Sequence, residues 1–140
     1  MHDDQREDLV ARALAVARVR ALRLALIALH KTLIENERRR YEKDHGRIES
    51  PHAALRLVME APAFQWLHPL AEVIVQMDEK LAEDGAIGVA ASEAFVDRVR
   101  NLLSGENQQE RFRQEYQRAL QDAPEVVMAH AEVARHLTAM

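Results

Sequence analysis

Histidine and carboxylate side chains supply most of the chemistry open to this 140-residue chain. It contains no cysteine, which excludes thiolate metal sites, thiol nucleophiles and disulfides. Two spacings are typical of metal-binding helices, namely Glu42 to His45, as in di-iron bundles, and His68 to Glu72, as in hemerythrin-like proteins. Neither has the further ligands that such centres need, so we expect no cofactor. An unidentified metal at His68 and Glu72, or haem, is the alternative.

A second histidine candidate lies near the end of the chain. His130 follows Val126 by four residues and precedes Val133 and Leu137, so all four share one side of a helix. This pattern predicts a core histidine bonded to a carbonyl or carboxylate, and the alternative is a ligand or a pH-sensitive group. Serine and threonine are too sparse for a hydrolytic triad. The overlong first helix and its two apolar sides, described below, instead favour a non-enzymatic interaction protein.

Arg18 interrupts the apolar side of the first predicted helix. A buried guanidinium needs a carboxylate or several carbonyls, because an unpaired buried charge is very costly. The position predicts an internal salt bridge or a side chain that reaches solvent. A site for an anion or carboxylate inside the bundle is the alternative. The corresponding small-molecule or metal site would use Arg18, His30, His68 or His130.

The segment from Ala63 to Leu70 holds two of the six aromatic residues, Phe64 and the only tryptophan, Trp66. Two prolines bound it, which predicts a kink that closes one end of the bundle. Alternatively, Trp66 and His68 anchor a partner or ligand, because aromatic residues are favoured at binding hot spots.

The basic triplet Arg38-Arg39-Arg40 is flanked by acidic residues. Glu35 and Arg39 lie four apart, as do Arg38 and Glu42, so ion pairs on the helix surface account for most of it. The net charge of −4 also argues against a nucleic-acid binder.

The elements that must position these residues are helices. Alanine and leucine dominate, with 23 and 16 residues, and glycine and proline contribute four each. The size predicts one domain over residues 1–140, with a folded surface of roughly 7,400 Å². The most apolar stretch carries five basic residues, and no signal peptide is evident, so we expect a cytoplasmic protein rather than a membrane protein.

The first helix is predicted from about Asp4 to about Asp44, with Gly46 as its stop. Its length of roughly 60 Å exceeds the diameter of a 16 kDa domain, so it must kink, protrude or pack against a second subunit. Apolar residues occur on two sides of it, which favours a homodimer or another protein partner. One side comprises Ala11, Ala15, Leu22, Leu26, Leu29 and Leu33; Leu24, Ile27 and Ile34 lie on the other.

The remaining predicted elements complete an all-α bundle of five to six helices around this long helix. A helix starts at Ser50-Pro51 and breaks at Ala61-Pro62. The others are a turn-like piece over Pro62–Leu67, with helix disfavoured at His68, and helices over about Pro69–Glu83, Ala90–Leu103, 107–121 and Pro124–Leu137.

Part of the chain resembles a family of small bacterial all-helical proteins of no known activity. The residues that carry the resemblance extend from Leu29-His30-Lys31 through Ser50-Pro51 and Trp66 to Met77-Asp78-Glu79, about fifty of the 140 residues. The resemblance implies a bacterial helical protein and brings no catalytic residue with it.

Overall fold

One long helix organises the fold. The computed structural model describes residues 2–105 and 108–138, and these contain six α-helices, one 3-10 helix and no β-strand. The all-α fold built around a long first helix is therefore confirmed. The elements are α1 (His2–His45), α2 (Pro51–Glu60), the 3-10 segment (Pro62–Leu67), α3 (His68–Ala82), α4 (Val89–Leu103), α5 (Glu110–Asp122) and α6 (Pro124–Arg135).

The turn between α1 and α2 follows the predicted stop and start signals. Gly46 adopts φ +84°, and its N–H donates to the carbonyl of Glu42 at 2.9 Å, which ends α1. The Ser50 hydroxyl accepts the N–H of Ala53 at 3.0 Å, and Pro51 occupies the first position of α2. The chain therefore passes from α1 to α2 through five residues.

The helix ends lie within two residues of their predicted positions, except for the start of the fifth helix. His68 is the first residue of α3, with φ −53° and ψ −43°, although Pro69 follows it. Packing of the buried residues on both sides overrides the steric preference of the residue before proline. The fifth helix begins at Glu110 rather than at Asn107, which lies outside the described residues.

The core forms around the inner face of α1. Its leucines at 22, 26, 29 and 33 are fully buried and contribute to a core shared with α3, α4, α6 and the 3-10 segment. The predicted apolar side is therefore confirmed from Ala15 onward, whereas Ala11 is only partly buried. The aromatic residues Phe64, Phe112 and Tyr116 fill the end of the bundle near the α1 carboxyl terminus.

The amino-terminal turns of α1 extend beyond this core. No described side chain from Asp3 to Leu14 is buried, and Ala15 is the first that is. At 1.5 Å per residue, the extension is about 18 Å long. The accessible surface of 9108 Å² exceeds the scaling value for a compact chain by roughly 1,700 Å², as a protruding helix requires. Within the described ranges, none of the helices has the length and apolarity to cross a membrane.

Candidate functional site

An apolar stripe runs along the solvent side of α1, and we call it the outer stripe. Leu14 and Leu24 are 66% and 62% exposed, and Val10 is 58% exposed. Together with three alanines they recur at alternating intervals of four and three residues, as in a coiled-coil seam. The outer stripe consists of Val10, Leu14, Ala17, Ala21, Leu24 and Ala28.

The protruding turns carry their apolar residues on this solvent side. At 100° per residue, Leu9, Val10 and Leu14 lie roughly 100° or more from the direction in which α1 faces the core. The side of the same turns that continues the core-facing direction is polar, with Asp4 and Asp8, both exposed. The sequence therefore directs these apolar side chains away from the bundle of their own chain.

The spacing of four and three residues is the sequence signal that marks the outer stripe. Wheel positions alone show only that apolar residues occur on two sides of α1. A repeat of 3.5 residues that continues over at least three heptads distinguishes a coiled-coil seam from scattered surface leucines. Scattered exposed apolar residues are otherwise normal on a folded protein.

A buried carboxylate organises the opposite end of α1. Glu37 is only 4% exposed, and Trp66 Nε1 donates to its Oε1 at 2.8 Å. Arg40 lies 3.3 Å from its Oε2 and Arg118 lies 3.5 Å from its Oε1. Arg118 also reaches Glu115 at 3.1 Å. The cationic and indole donors offset the cost of removing Glu37 from water.

Trp66 therefore joins the 3-10 segment to α1. The side chain is 3% exposed, and its ring lies 5.5 Å from that of Phe112, centroid to centroid. Its only polar atom is used by Glu37, which leaves little of the indole for another molecule. The structure gives Trp66 a packing role at the end of the bundle, and its role as a partner anchor stays a prediction.

The basic triplet is paired as its spacing predicts. Arg38 binds Glu42 at 2.6 Å and also Glu35, and Arg39 lies 3.8 Å from Glu35. Arg39 further reaches Glu125 at the start of α6, at 3.2 Å. These contacts are confirmed, and they leave the triplet with little uncompensated positive charge.

His130 is bonded to a phenol rather than to the carbonyl or carboxylate expected from the sequence. Its Nδ1 lies 2.6 Å from the hydroxyl of Tyr116, and both rings belong to the α5–α6 contact. Burial lowers the pKa of His130 and raises that of Tyr116. The neutral forms are favoured, so the pair acts as a structural hydrogen bond across two helices.

Arg18 is partly buried, and no hydrogen bond or ion pair of its side chain occurs among the described residues. The internal salt bridge that the sequence allowed is therefore absent from that part of the chain. The guanidinium keeps access to solvent instead, as a long side chain at the edge of an apolar face can. Its anion-binding role stays a prediction.

Among the described residues, the fold brings no further metal ligand to His68 and Glu72. His68 and Glu72 are both exposed at the start of α3, and Glu72 accepts from Gln76 at 3.3 Å. In the described ranges, no three histidine or acidic side chains come together as metal ligands would. Glu42 binds Arg38 and Ile48 N–H, and His45 stacks on Tyr41.

Two open clefts of the bundle have polar linings. One of about 400 Å³ lies between α3 and α4 and includes Glu72 and Arg98. Another of about 630 Å³ lies between α1 and the start of α6, and its lining carries charges of both signs, of which Arg39 and Glu125 pair with each other. Neither has the apolar enclosure of a small-molecule site.

No family model matches this chain, and neither a curated protein nor a solved structure is significantly similar to it. The similarity to small bacterial helical proteins stays a prediction. Functional inference consequently depends on the geometry of the outer stripe and the charged clusters.

Proposed function

We propose that this chain is a non-enzymatic helical interaction protein that self-associates through the outer stripe. The observation that carries the proposal is the exposure of Leu14 and Leu24 at coiled-coil spacing on a helix that extends beyond its own core. Two identical stripes bury each other's leucines, which neither copy can bury alone. The protein then acts as a homodimeric scaffold.

The protruding turns of α1 support this proposal. An isolated helix of three turns is only marginally stable in water, because its few hydrogen bonds do not offset the cost of nucleation. Packing against a second helix supplies the missing contacts. The absence of cysteine from the chain agrees with a reducing compartment, and we place the protein in the cytoplasm of a bacterium on composition and resemblance.

Sedimentation equilibrium across the micromolar range tests self-association. We expect a dimer for the native chain and a dissociation constant at least about tenfold weaker for Leu24→Asp, because an aspartate would be buried in the seam. Leu55→Asp is the matched control, since Leu55 is 57% exposed on α2, away from the outer stripe. A native chain that stays monomeric, or equal weakening by both variants, would overturn the proposal.

A further inference from the structure

The outer stripe also fixes how two copies would be oriented. We infer that the two α1 helices pair antiparallel, in the register that places Leu14 of one copy against Leu24 of the other. This inference rests on the proposed self-association and specifies its geometry. In this register the two residue numbers at each layer add to 38, so Val10 meets Ala28 and Ala17 meets Ala21.

Charge complementarity selects this orientation. The spacing of the outer stripe continues to Glu7 at one end and to Lys31 at the other, and both side chains are exposed. In the antiparallel register Glu7 meets Lys31 of the second copy, and the twofold axis repeats the pair at the other end. A parallel pair would place Glu7 against Glu7 and Lys31 against Lys31, which is repulsive at both ends.

Side-chain size favours the same register. Ala17 and Ala21 lie next to the twofold axis, where small residues let the helices approach closely, and the leucine layers lie on either side of them. The seam from Glu7 to Lys31 is about 36 Å long. Arg20 flanks this centre and lines a small cleft that also holds Lys80, Glu83 and Asp84, in which Lys80 pairs with Glu83 at 3.6 Å and Asp84 supplies a further carboxylate.

In this arrangement the second copy also covers the protruding turns of α1. Residues 3–14 of one copy lie beside residues 24–35 of the other, where α1 is supported by its own bundle. Each copy therefore covers the extension of its partner. A parallel pair would leave both extensions side by side, beyond either bundle.

Charge reversal tests the orientation. We expect Glu7→Lys and Lys31→Glu each to weaken the dimer about tenfold at low salt, because each replaces two attractive pairs by two repulsive ones. The double variant should return to within about threefold of the native value. Glu60→Lys is the control and should change nothing, because Glu60 is exposed on α2, which packs on the 3-10 segment. Single variants as tight as the native chain would overturn the inference.

Cysteine cross-linking gives an independent readout, because the native chain has no cysteine. Val10→Cys and Ala28→Cys chains of different mass are mixed and mildly oxidised. The antiparallel register predicts a disulfide only between the two different chains, since identical positions lie about 27 Å apart along the seam.

The outcomes separate this inference from the proposed function. A disulfide between identical chains would overturn the antiparallel orientation and leave self-association intact. A dimer by sedimentation with no cross-link of either kind would overturn the register and the outer stripe as the interface. A strict monomer would overturn the proposed function itself.

Discussion

The two ends of α1 differ in how their side chains are covered. Toward its carboxyl end, polar groups are paired within the chain, with Glu37 buried among Trp66, Arg40 and Arg118. Toward its amino end and along its solvent side, apolar groups are exposed, and Leu14 and Leu24 keep 66% and 62% of their surface in solvent. Contacts within the chain therefore satisfy the carboxyl end, whereas the amino end exposes an apolar surface to solvent.

Under the proposed function, this difference lets a single helix serve both folding and association. The carboxyl half contacts α6 and the 3-10 segment, so its side chains are fixed by their own bundle. The turns before Ala15 extend beyond the core, so their apolar residues are available without disturbing the fold. Substitutions in the two halves should therefore affect different measurable quantities.

The largest expected effect separates the inner and outer faces of α1. Leu26→Ala should reduce the free energy of unfolding by about 2–5 kcal/mol, because it leaves a cavity among fully buried side chains. Leu24→Ala, two residues away and exposed, should change it by less than about 0.5 kcal/mol at monomer concentrations. Urea denaturation checks both, and similar losses would contradict the division into faces.

The next effect concerns the buried carboxylate. Glu37→Gln should reduce the free energy of unfolding by about 1–3 kcal/mol, because Arg40 and Arg118 lose a charged acceptor in a site with little water. Trp66 is the only tryptophan, so its fluorescence reports directly on this site during unfolding. Glu35→Gln, at an exposed ion pair, should cost less than about 1 kcal/mol. Equal losses of unfolding free energy in Glu37→Gln and Glu35→Gln would show that the burial of Glu37 does not contribute to stability.

The pH dependence of stability should be smaller again. Burial lowers the pKa of His130 and of His30 below the ordinary value of 6.5, so the unfolded chain takes up their protons first. Stability should fall as the pH drops below about 6.5 and level off below the folded-state values. The slope is at most about 1.4 kcal/mol per pH unit for each histidine.

Denaturation between about pH 7.5 and 5.5 measures this slope. His130→Gln should reduce it, and His52→Gln, at an exposed position on α2, should not. A native chain with equal stability across this range would contradict the role of burial at His130.

The smallest effect is expected at the exposed contact between α1 and α3. Arg23 and Asp78 form an ion pair in which both side chains keep access to water. Arg23→Gln should therefore cost less than about 1 kcal/mol, and high salt should remove the difference from the native chain. A larger loss of unfolding free energy that does not depend on salt would show that this ion pair contributes as the buried Glu37 site does, and not as a surface pair.

Local signals in the sequence predicted most of the fold. Ser50, Pro51 and Gly46 act within a few residues of themselves, and the structure places the helix ends beside them. The ion pairs of Arg38 and Arg39 follow from spacing on one helix for the same reason. The limits of prediction appear at Glu37, whose partners Trp66 and Arg118 are distant in sequence and meet only when α5 and the 3-10 segment pack on α1.

The sequence by itself determined that the chain is helical and that α1 is too long and too widely apolar to be an ordinary bundle helix. Periodicity and capping are local, so they need no knowledge of the packing. Only the tertiary structure decided which apolar side of α1 is core. The other helices bury the face that includes Leu22 and Leu26 and leave Leu14 and Leu24 in solvent, because they occupy one side of α1 and stop short of its amino end.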